Sequence, residues 1–459
     1  MAIGKRRPKQ QVLWVTYDQI ASSSHPFYTR LNRLLEKDGF DAWVEELCAP
    51  HFATGGRPSI IPGVYFRMLF LGYMEGFASE RAIAWHCRDR MSLREFLGFQ
   101  LHESTPEHSS FTIWRQRLPI EIYQAVFQRI LTIVHRKGLI KAYAAGVDSS
   151  TLEANASLRR LARKDSGASY VEYVKELMRE AGEDPTDAAA VVRFDRKRKD
   201  KTLSNAEWRS ETDPDSRIAK MKDGRTHLAY KSEHAVDLST GALLAVEIHP
   251  GDCGDTESLK DTLEATEANL ASLDDEEVAE LSCVVTDKGY HQTELIRQLN
   301  QDQGIITYIP EKHSSKRRRW HGDKDSCREF HANRQRCRGN EGKRLARHRS
   351  CLVERSFALL KRSGNLGRMT LRGMENIAKR YLIHAAAYNL GLVMRHLYGN
   401  GTPKEAADAM RRFVALVWGH IWAFITIIPV LEDDTVHGWT PPRRFRSLFS
   451  TATICMASR

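Results

Sequence analysis

The sequence predicts a mixed α/β fold, with helices at both ends of the chain and a sheet between them. Two observations predict it. Over the first 140 residues, apolar side chains recur every three or four positions, which is the spacing of packed helices. From Lys141 onward, short apolar runs alternate with helix-like segments, which is typical of a sheet that contains parallel strands. At 459 residues, the chain is long enough for two or three domains.

Residues 1–140 are predicted to form a helical domain for DNA binding or assembly. The segments SIIPGVYFRMLFLGYMEG and ERAIAWHCRDRMSLREFLGF both have the apolar spacing of helices. Pro106 marks a turn in HESTPEHSS, after which a Ser cap begins a helix through FTIWRQRL. A helix that carries Arg115 and Arg117 after such a turn suits docking on DNA. An ordinary helical bundle with surface arginines fits the same pattern equally well.

Residues 141–400 are predicted to form the main α/β domain. AYAAGVDSS predicts a first strand that ends at Asp148, and a polar, helix-rich insertion occupies residues 152–226. Two strands joined by the turn LSTG follow, then a helix, the strand LSCVVTD, another helix, the strand IITYIP and further helices. Without the insertion, this is the element order of a ribonuclease H-like core, although several α/β folds have room for it.

The charge of the chain favours a polyanionic partner. The formal net charge is +11, and almost all of the excess lies in a basic segment, residues 311–350. Between Lys312 and Arg349, 14 Lys and Arg stand against four Asp and Glu. The eight cysteines are scattered, and the basic start MAIGKRRPKQQ is not followed by the apolar core of a signal peptide. We therefore expect free thiols in a reducing cytoplasm.

Three acidic residues are candidate metal ligands. Asp148 and Asp287 each end a predicted buried strand, and neighbouring strands would place both side chains at one edge of the sheet. Glu354 lies on an amphipathic helix, and Lys361 follows it at about 20° from eclipsing it, a position suited to holding a phosphate. Phosphoryl transfer by two metal ions needs converging carboxylates of this kind. Each residue also has a simpler interpretation: Asp148 could cap a helix, Asp287 could form a turn and Glu354 could be a surface residue. Three other acidic residues lie near strand ends, Asp237, Asp252 and Asp255.

Four long motifs then occur in order along the chain. They are AGVDSSTLEANAS, DPDSRIAKMKDGRTHLAYKSEHAVDLSTGALLAVEIHPGDCGDT, VVTDKGYHQTE and LVERSFALLKRSGNLGRMTLRGMENIAKRYLIHAAAYNLG. Together they resemble the DDE transposases of bacterial insertion sequences, and the helical region before them is similar to the N-terminal domain of this group. The resemblance implies a ribonuclease H-like core in which Asp148, Asp287 and Glu354 hold two Mg²⁺ or Mn²⁺ ions.

The resemblance also implies an activity and partners. We expect metal-dependent cleavage at the ends of an insertion sequence and strand transfer into target DNA. The partners would be double-stranded terminal inverted repeats and target DNA, bound by a homodimer in the bacterial cytoplasm at the nucleoid, without a membrane. The basic segment would contact the DNA backbone and displaced strands. Arg317, Arg318 and Arg319 lie in it, and the adjacent Trp320 would either stack on an unpaired base or lie partly buried.

One part of the family pattern is not matched. Related enzymes often have a Tyr and an Arg before the Glu and a Lys seven residues after it. Lys361 matches this Lys, but Arg347 and Ser350 occupy the upstream positions. The Tyr is thus missing, and either Arg347 or Arg349 is expected to take the place of the displaced Arg.

Four alternatives stay open at this point. A ribonuclease H-like nuclease would share the three carboxylates, whereas a transposase-derived DNA-binding regulator would not need them intact. Cys327, His331 and Cys337 suggest zinc, but no fourth ligand is evident at usable spacing. Residues 401–459 form a hydrophobic tail, in which Phe413–Leu431 carries no charge. His420 and Pro429 interrupt that stretch and favour a packed helix or a subunit contact over a membrane span.

Overall fold

The computed structural model describes residues 25–100, 102–199, 203–221, 224–273, 280–312, 320 and 323–427. The chain divides into two compact units, Met1–Ala407 and Asp408–Arg459. The helical region and the sheet both belong to the first unit.

Seven α-helices form the first part of the described chain, as the apolar spacing predicts. The third lies at the centre, since all 13 of its residues are buried. The fourth begins at Ser79, whose side chain accepts a hydrogen bond from the backbone N–H of Ala82. The helices are α1 Pro26–Asp38, α2 Phe40–Cys48, α3 Pro62–Met74, α4 Glu80–Asp89, α5 Met91–Phe96, α6 His108–Arg117 and α7 Ile120–Arg136.

The main sheet is mixed and has six strands. The strands of the described chain are β1 Ala144–Glu153, β2 Leu161–Arg163, β3 Trp208–Ser210, β4 Arg217–Lys220, β5 Thr226–Asp237, β6 Leu243–Pro250, β7 Cys283–Val285 and β8 Ile306–Tyr308. The sheet has the order β6-β5-β1-β7-β8, and β4 pairs with the start of β5. β1, β5 and β6 are antiparallel, whereas β7 is parallel to β1 and β8 to β7. The predicted mixed α/β fold and helical N-terminal region are confirmed.

The first strand is longer than predicted. β1 does not end at Asp148, because Ser149–Glu153 continue the antiparallel ladder with β5. The insertion therefore begins after Glu153, and its last strand, β4, joins the main sheet. The insertion otherwise consists of α8 Tyr170–Glu180, α9 Ala188–Lys197 and a ribbon formed by β2 and β3. The serines and threonine after Asp148 have little apolar character, which is why the sequence pattern ended the strand too early.

Helices cover both faces of the sheet. α10 Asp255–Ala271 packs on β5 and β6 from one face. On the other face, α13 Asn340–Arg362 packs on β1 and β5, and α14 Met374–Tyr398 packs on β6. α14 also packs against α3 and α7, which joins the helical region to the sheet. α11 Thr293–Gln301 and α12 Lys324–Arg338 pack against each other and against β8.

The last described helix is α15, Pro403–Ile427. Large apolar side chains on it are exposed, among them Phe413 and Trp418. No helix within the described ranges is long and apolar enough to cross a membrane. The end of the uncharged stretch Phe413–Leu431 lies outside those ranges.

Candidate active site

Two of the three predicted carboxylates lie side by side. β1 and β7 pair in parallel, with Gly146 opposite Val285. Continuing this register by two residues brings Asp148 opposite Asp287, each half-buried, at the point where β7 ends. The carboxyl groups are close enough for the charge of Asp287 to raise the pKa of Asp148. The sheet therefore brings together two carboxylates from neighbouring strands, the arrangement that the sequence pattern predicted for them.

Asp148 has a cationic partner on the helix above it. Its Oδ2 accepts a hydrogen bond from Arg349 Nη1 at 2.9 Å, and its Oδ1 accepts one from Ser149 N at 2.8 Å. Burial raises the pKa of Asp148, the guanidinium of Arg349 lowers it and the nearby Asp287 raises it. Burial and the like charge of Asp287 thus disfavour ionisation of Asp148, and a cation between the two aspartates would relieve both effects. The pair fits a divalent cation, because such ions prefer hard carboxylate oxygens.

α13 is held firmly over this part of the sheet. On β5, His234 lies directly opposite Asp148 in the ladder and is completely buried. Its ring nitrogens form hydrogen bonds of 2.8 Å with Ser356 Oγ on α13 and 2.6 Å with Tyr381 OH on α14. The ring stacks on Phe357 at 3.8 Å between centroids, and burial lowers its pKa well below the usual value. A neutral histidine thus joins the sheet to both helices, and its partner on α13, Ser356, lies two residues after Glu354.

Glu354 and Lys361 lie on α13 but differ in their surroundings. Glu354 is exposed and accepts a hydrogen bond from Ser350 Oγ at 2.9 Å. Lys361 Nζ donates to Ser150 Oγ at 2.6 Å and to the carbonyl of Thr151 at 2.7 Å, which fixes it on β1 close to Asp148. In the described part of the chain, no three His, Cys, Asp or Glu side chains are arranged to hold a metal ion. This applies to the three carboxylates and equally to the suggested zinc group of Cys327, His331 and Cys337.

The other predicted DNA-binding residues have varied environments. Arg115 is buried and forms an ion pair with Glu80, which favours the alternative of a residue that stabilises the helical bundle. The guanidinium of Arg117 lies 5.0 Å from the centroid of the Phe52 ring. Arg347 is exposed on α13. The half-buried Trp320 packs against Phe330, and Arg317, Arg318 and Arg319 lie outside the described residues.

Sequence reasoning missed a group of buried polar residues in β5. Lys231, Ser232, Glu233 and His234 are consecutive and are all buried. His234 faces α13, whereas Lys231 and Glu233 face α10, where Ser258 Oγ contacts both side chains. The signal was the run KSEH in the middle of a strand flanked by apolar residues, because buried polar groups need partners.

One of the acids on the α10 face predicts a pH dependence of stability. Burial, followed by the charges of Asp261 and Glu233, raises the pKa of Glu247 to about 7. A carboxyl group whose pKa is raised by folding makes its full contribution to stability at pH values below its pKa in the unfolded chain. This contribution is lost as the pH rises through about 7, the pKa in the folded protein. Glu247→Gln is expected to remove this loss. The change in the free energy of unfolding between pH 5 and pH 8 should then be smaller in the variant than in the wild type, by up to about 3 kcal/mol. Denaturant unfolding at several pH values measures it. The exposed Glu264 on α10 provides the control, and an equal flattening in Glu264→Gln would contradict the assignment.

Comparison with known families identifies the class of protein. Residues 15–117 match the family described as Transposase domain (DUF772), and residues 194–390 match the Transposase DDE domain. The second match includes Asp287, Glu354 and Lys361 but begins after Asp148. Searches of curated proteins and of solved structures gave no match. The domains are those of a DNA-processing enzyme. The chain belongs to the insertion-sequence DDE transposases, as the sequence motifs predicted.

Proposed function

We propose that this transposase cleaves DNA at the ends of its insertion sequence and joins the freed ends to target DNA. The observation that carries the proposal is the pair Asp148 and Asp287, aligned on neighbouring parallel strands beneath the helix that bears Glu354 and Lys361. The sheet order supports a ribonuclease H-like core, with three antiparallel strands followed by two parallel ones. The domain division proposed with it is 1–140 for DNA binding or assembly, 141–400 for catalysis and 401–459 for a tail of unassigned role.

The residues divide into ligands and groups that hold the substrate. Asp148 and Asp287 would hold the divalent cations, Mg²⁺ or Mn²⁺, with Glu354 as the third carboxylate. When bound, two such ions activate the attacking oxygen and stabilise the leaving oxygen of an in-line displacement. Lys361 is fixed on β1 and would hold a backbone phosphate by its charge. Arg349, which neutralises Asp148 in this structure, would release it and turn to the DNA when the cations bind.

A cavity beside Lys361 is the proposed contact for the DNA backbone. It has a volume of about 420 Å³ and is lined by Asn155 after β1, by Lys361 near the end of α13, and by residues between α13 and α14 that include Asn365 and Arg368. The loop is fixed on the end of β1, because Met369 N donates to the carbonyl of Glu153 at 2.8 Å. A positive, hydrogen-bonding cavity on the strand that carries Asp148 suits phosphates beside the cleaved one.

Arg368→Ala is expected to weaken binding of the DNA ends without changing the sequence preference. The Arg368 side chain is 71% exposed beside Glu153, so its loss leaves the fold intact. Removing one phosphate contact should weaken binding about threefold to tenfold and reduce the slope of log K against log salt by about one. Fluorescence anisotropy over a range of salt concentrations measures both. Arg179→Ala, an exposed change in the insertion, serves as the control, and an equal effect there would assign the loss to total charge.

The function is tested by incubating the protein with DNA that carries the element ends and Mg²⁺, and sequencing the products. Cuts at the ends and joined target DNA are expected. Pre-cleaved ends that are never joined would identify a nuclease, whereas binding without any cut would identify a regulator. Light scattering on the end complexes tests the proposed homodimer in the same preparation.

A further inference from the structure

A buried polar network lies beneath the turn that follows Asp287. Its centre is Glu233, which is completely buried on the α10 face of the sheet. One carboxylate oxygen accepts hydrogen bonds from Tyr290 OH at 2.6 Å and Ser258 Oγ at 2.8 Å. The other oxygen accepts one from Thr262 Oγ1 at 2.6 Å. Three donors satisfy the carboxylate in the interior and hold Tyr290 at a single position.

The turn connects this network to Asp287. Residues Lys288–Tyr290 form one 3₁₀ turn, of which Tyr290 is the last residue. Within the turn, Gly289 N donates a hydrogen bond of 2.7 Å to Asp287 Oδ1. The phenol of Tyr290 therefore anchors the end of the same short segment whose backbone orients the carboxylate of Asp287.

A second carboxylate, that of Asp255 at the start of α10, lies beside the turn. Asp255 Oδ1 accepts hydrogen bonds from Lys231 Nζ at 2.7 Å and Ser149 Oγ at 3.2 Å. A Cβ atom on Gly289 would lie 2.6 Å from Asp255 Oδ2 and 2.9 Å from Asp287 Oδ1. Any side chain at position 289 would therefore have to displace one or both of these carboxylates.

We infer that Tyr290 and Glu233 are positioning residues for Asp287. Their hydrogen bond fixes the turn Lys288–Tyr290, and the turn holds the carboxylate of Asp287 in place for a divalent cation. The inference rests on the proposed function, in which Asp287 is a metal ligand. Residues that form hydrogen bonds to a metal ligand fix its orientation. At known metal sites, removing such a residue commonly lowers metal affinity or activity by about 10- to 100-fold. A network that only stabilises the interior would change the stability of the protein and leave metal binding alone.

Tyr290→Phe tests this inference, because it removes the hydroxyl and keeps the buried ring. The matched control is Tyr28→Phe, since Tyr28 is also buried and donates its phenol proton to a carboxylate, that of Glu75, in the helical region. Three measurements are made on the full chain: thermal unfolding, calorimetric Mn²⁺ binding without DNA, and cleavage of end DNA over a range of Mn²⁺ concentrations. We expect Mn²⁺ binding about tenfold weaker in Tyr290→Phe, cleavage restored in part by excess Mn²⁺, and no change in either with Tyr28→Phe.

The result that overturns the inference is unchanged Mn²⁺ binding in a Tyr290→Phe variant that loses as much stability as the control. A second variant, Gly289→Ala, reaches the same carboxylate without removing a buried contact, because its Cβ displaces the oxygens beside it. It should also weaken Mn²⁺ binding, and unchanged affinity there would overturn the inference even if Tyr290→Phe fails to fold. Since Mn²⁺ binding is measured without DNA, it decides the inference separately from the proposed cleavage.

Discussion

Asp148→Asn is expected to lower the rate of DNA cleavage at least about a thousandfold while the protein stays folded and bound to DNA ends. The substitution keeps the size of the side chain and removes the charge. Asp148 lies within β1, so its backbone hydrogen bonds to β5 do not depend on the carboxylate. Burial and Asp287 already disfavour its ionisation, and so the neutral side chain is tolerated by the fold. Quantified cleavage of labelled end DNA in Mg²⁺ measures the rate.

The matched control is Asp252→Asn. Asp252 follows β6, its side chain is 42% exposed and its Oδ1 lies 3.9 Å from Arg217 Nε, outside the carboxylate pair. This variant should cleave at the wild-type rate. Cleavage by Asp148→Asn at a rate near that of Asp252→Asn would remove Asp148 from the proposed site, and loss of end binding would instead assign it a role in holding DNA.

The carboxylate pair was predictable from the sequence, and its environment was not. An acidic residue directly after a short apolar run is easily recognised in the sequence, as Asp287 is in VVTDKGY. The choice of Asp148 and Asp287 over Asp255 needed the family resemblance. Asp255 in fact lies close to the turn after Asp287, held by Lys231. Such contacts join residues distant in the chain, and periodicity within one element carries no information about them.

The fold shows the same limit. Helical spacing predicted α3 and α4, because both have apolar side chains at intervals of three or four residues. The length of β1 was missed, since pairing with β5, rather than apolar side chains, extends the strand to Glu153. Arg115 was predicted to contact DNA because of its charge and its place on a helix after a turn. It instead forms an ion pair with Glu80, which lies on another helix. In each case, the element was visible locally and its boundary or role was decided by a neighbour in space.

Gly146→Val is expected to destabilise the protein by about 3 kcal/mol and to abolish cleavage, because α13 rests directly on Gly146. A Cβ atom there would lie 2.5 Å from Leu238 Cδ2, 3.0 Å from Val353 Cγ2 and 3.1 Å from Arg349 Cγ. Leu238 can change rotamer, but Val353 has little freedom in a helix, so the helix itself must move. That movement would carry Arg349 away from Asp148 and shift the helix that bears Glu354.

Thermal unfolding and end cleavage, measured together, separate the two effects of Gly146→Val. Gly146→Ala should have a smaller effect on both, since it adds one methyl group where Val adds three carbons. Gly55→Val serves as the control, because a Cβ at Gly55 meets no atom within 4 Å. If Gly146→Val kept both the stability and the cleavage rate of this control, α13 would not need its close seat on β1. The position of α13, the helix that bears Glu354, would then have to be set by other contacts in the chain.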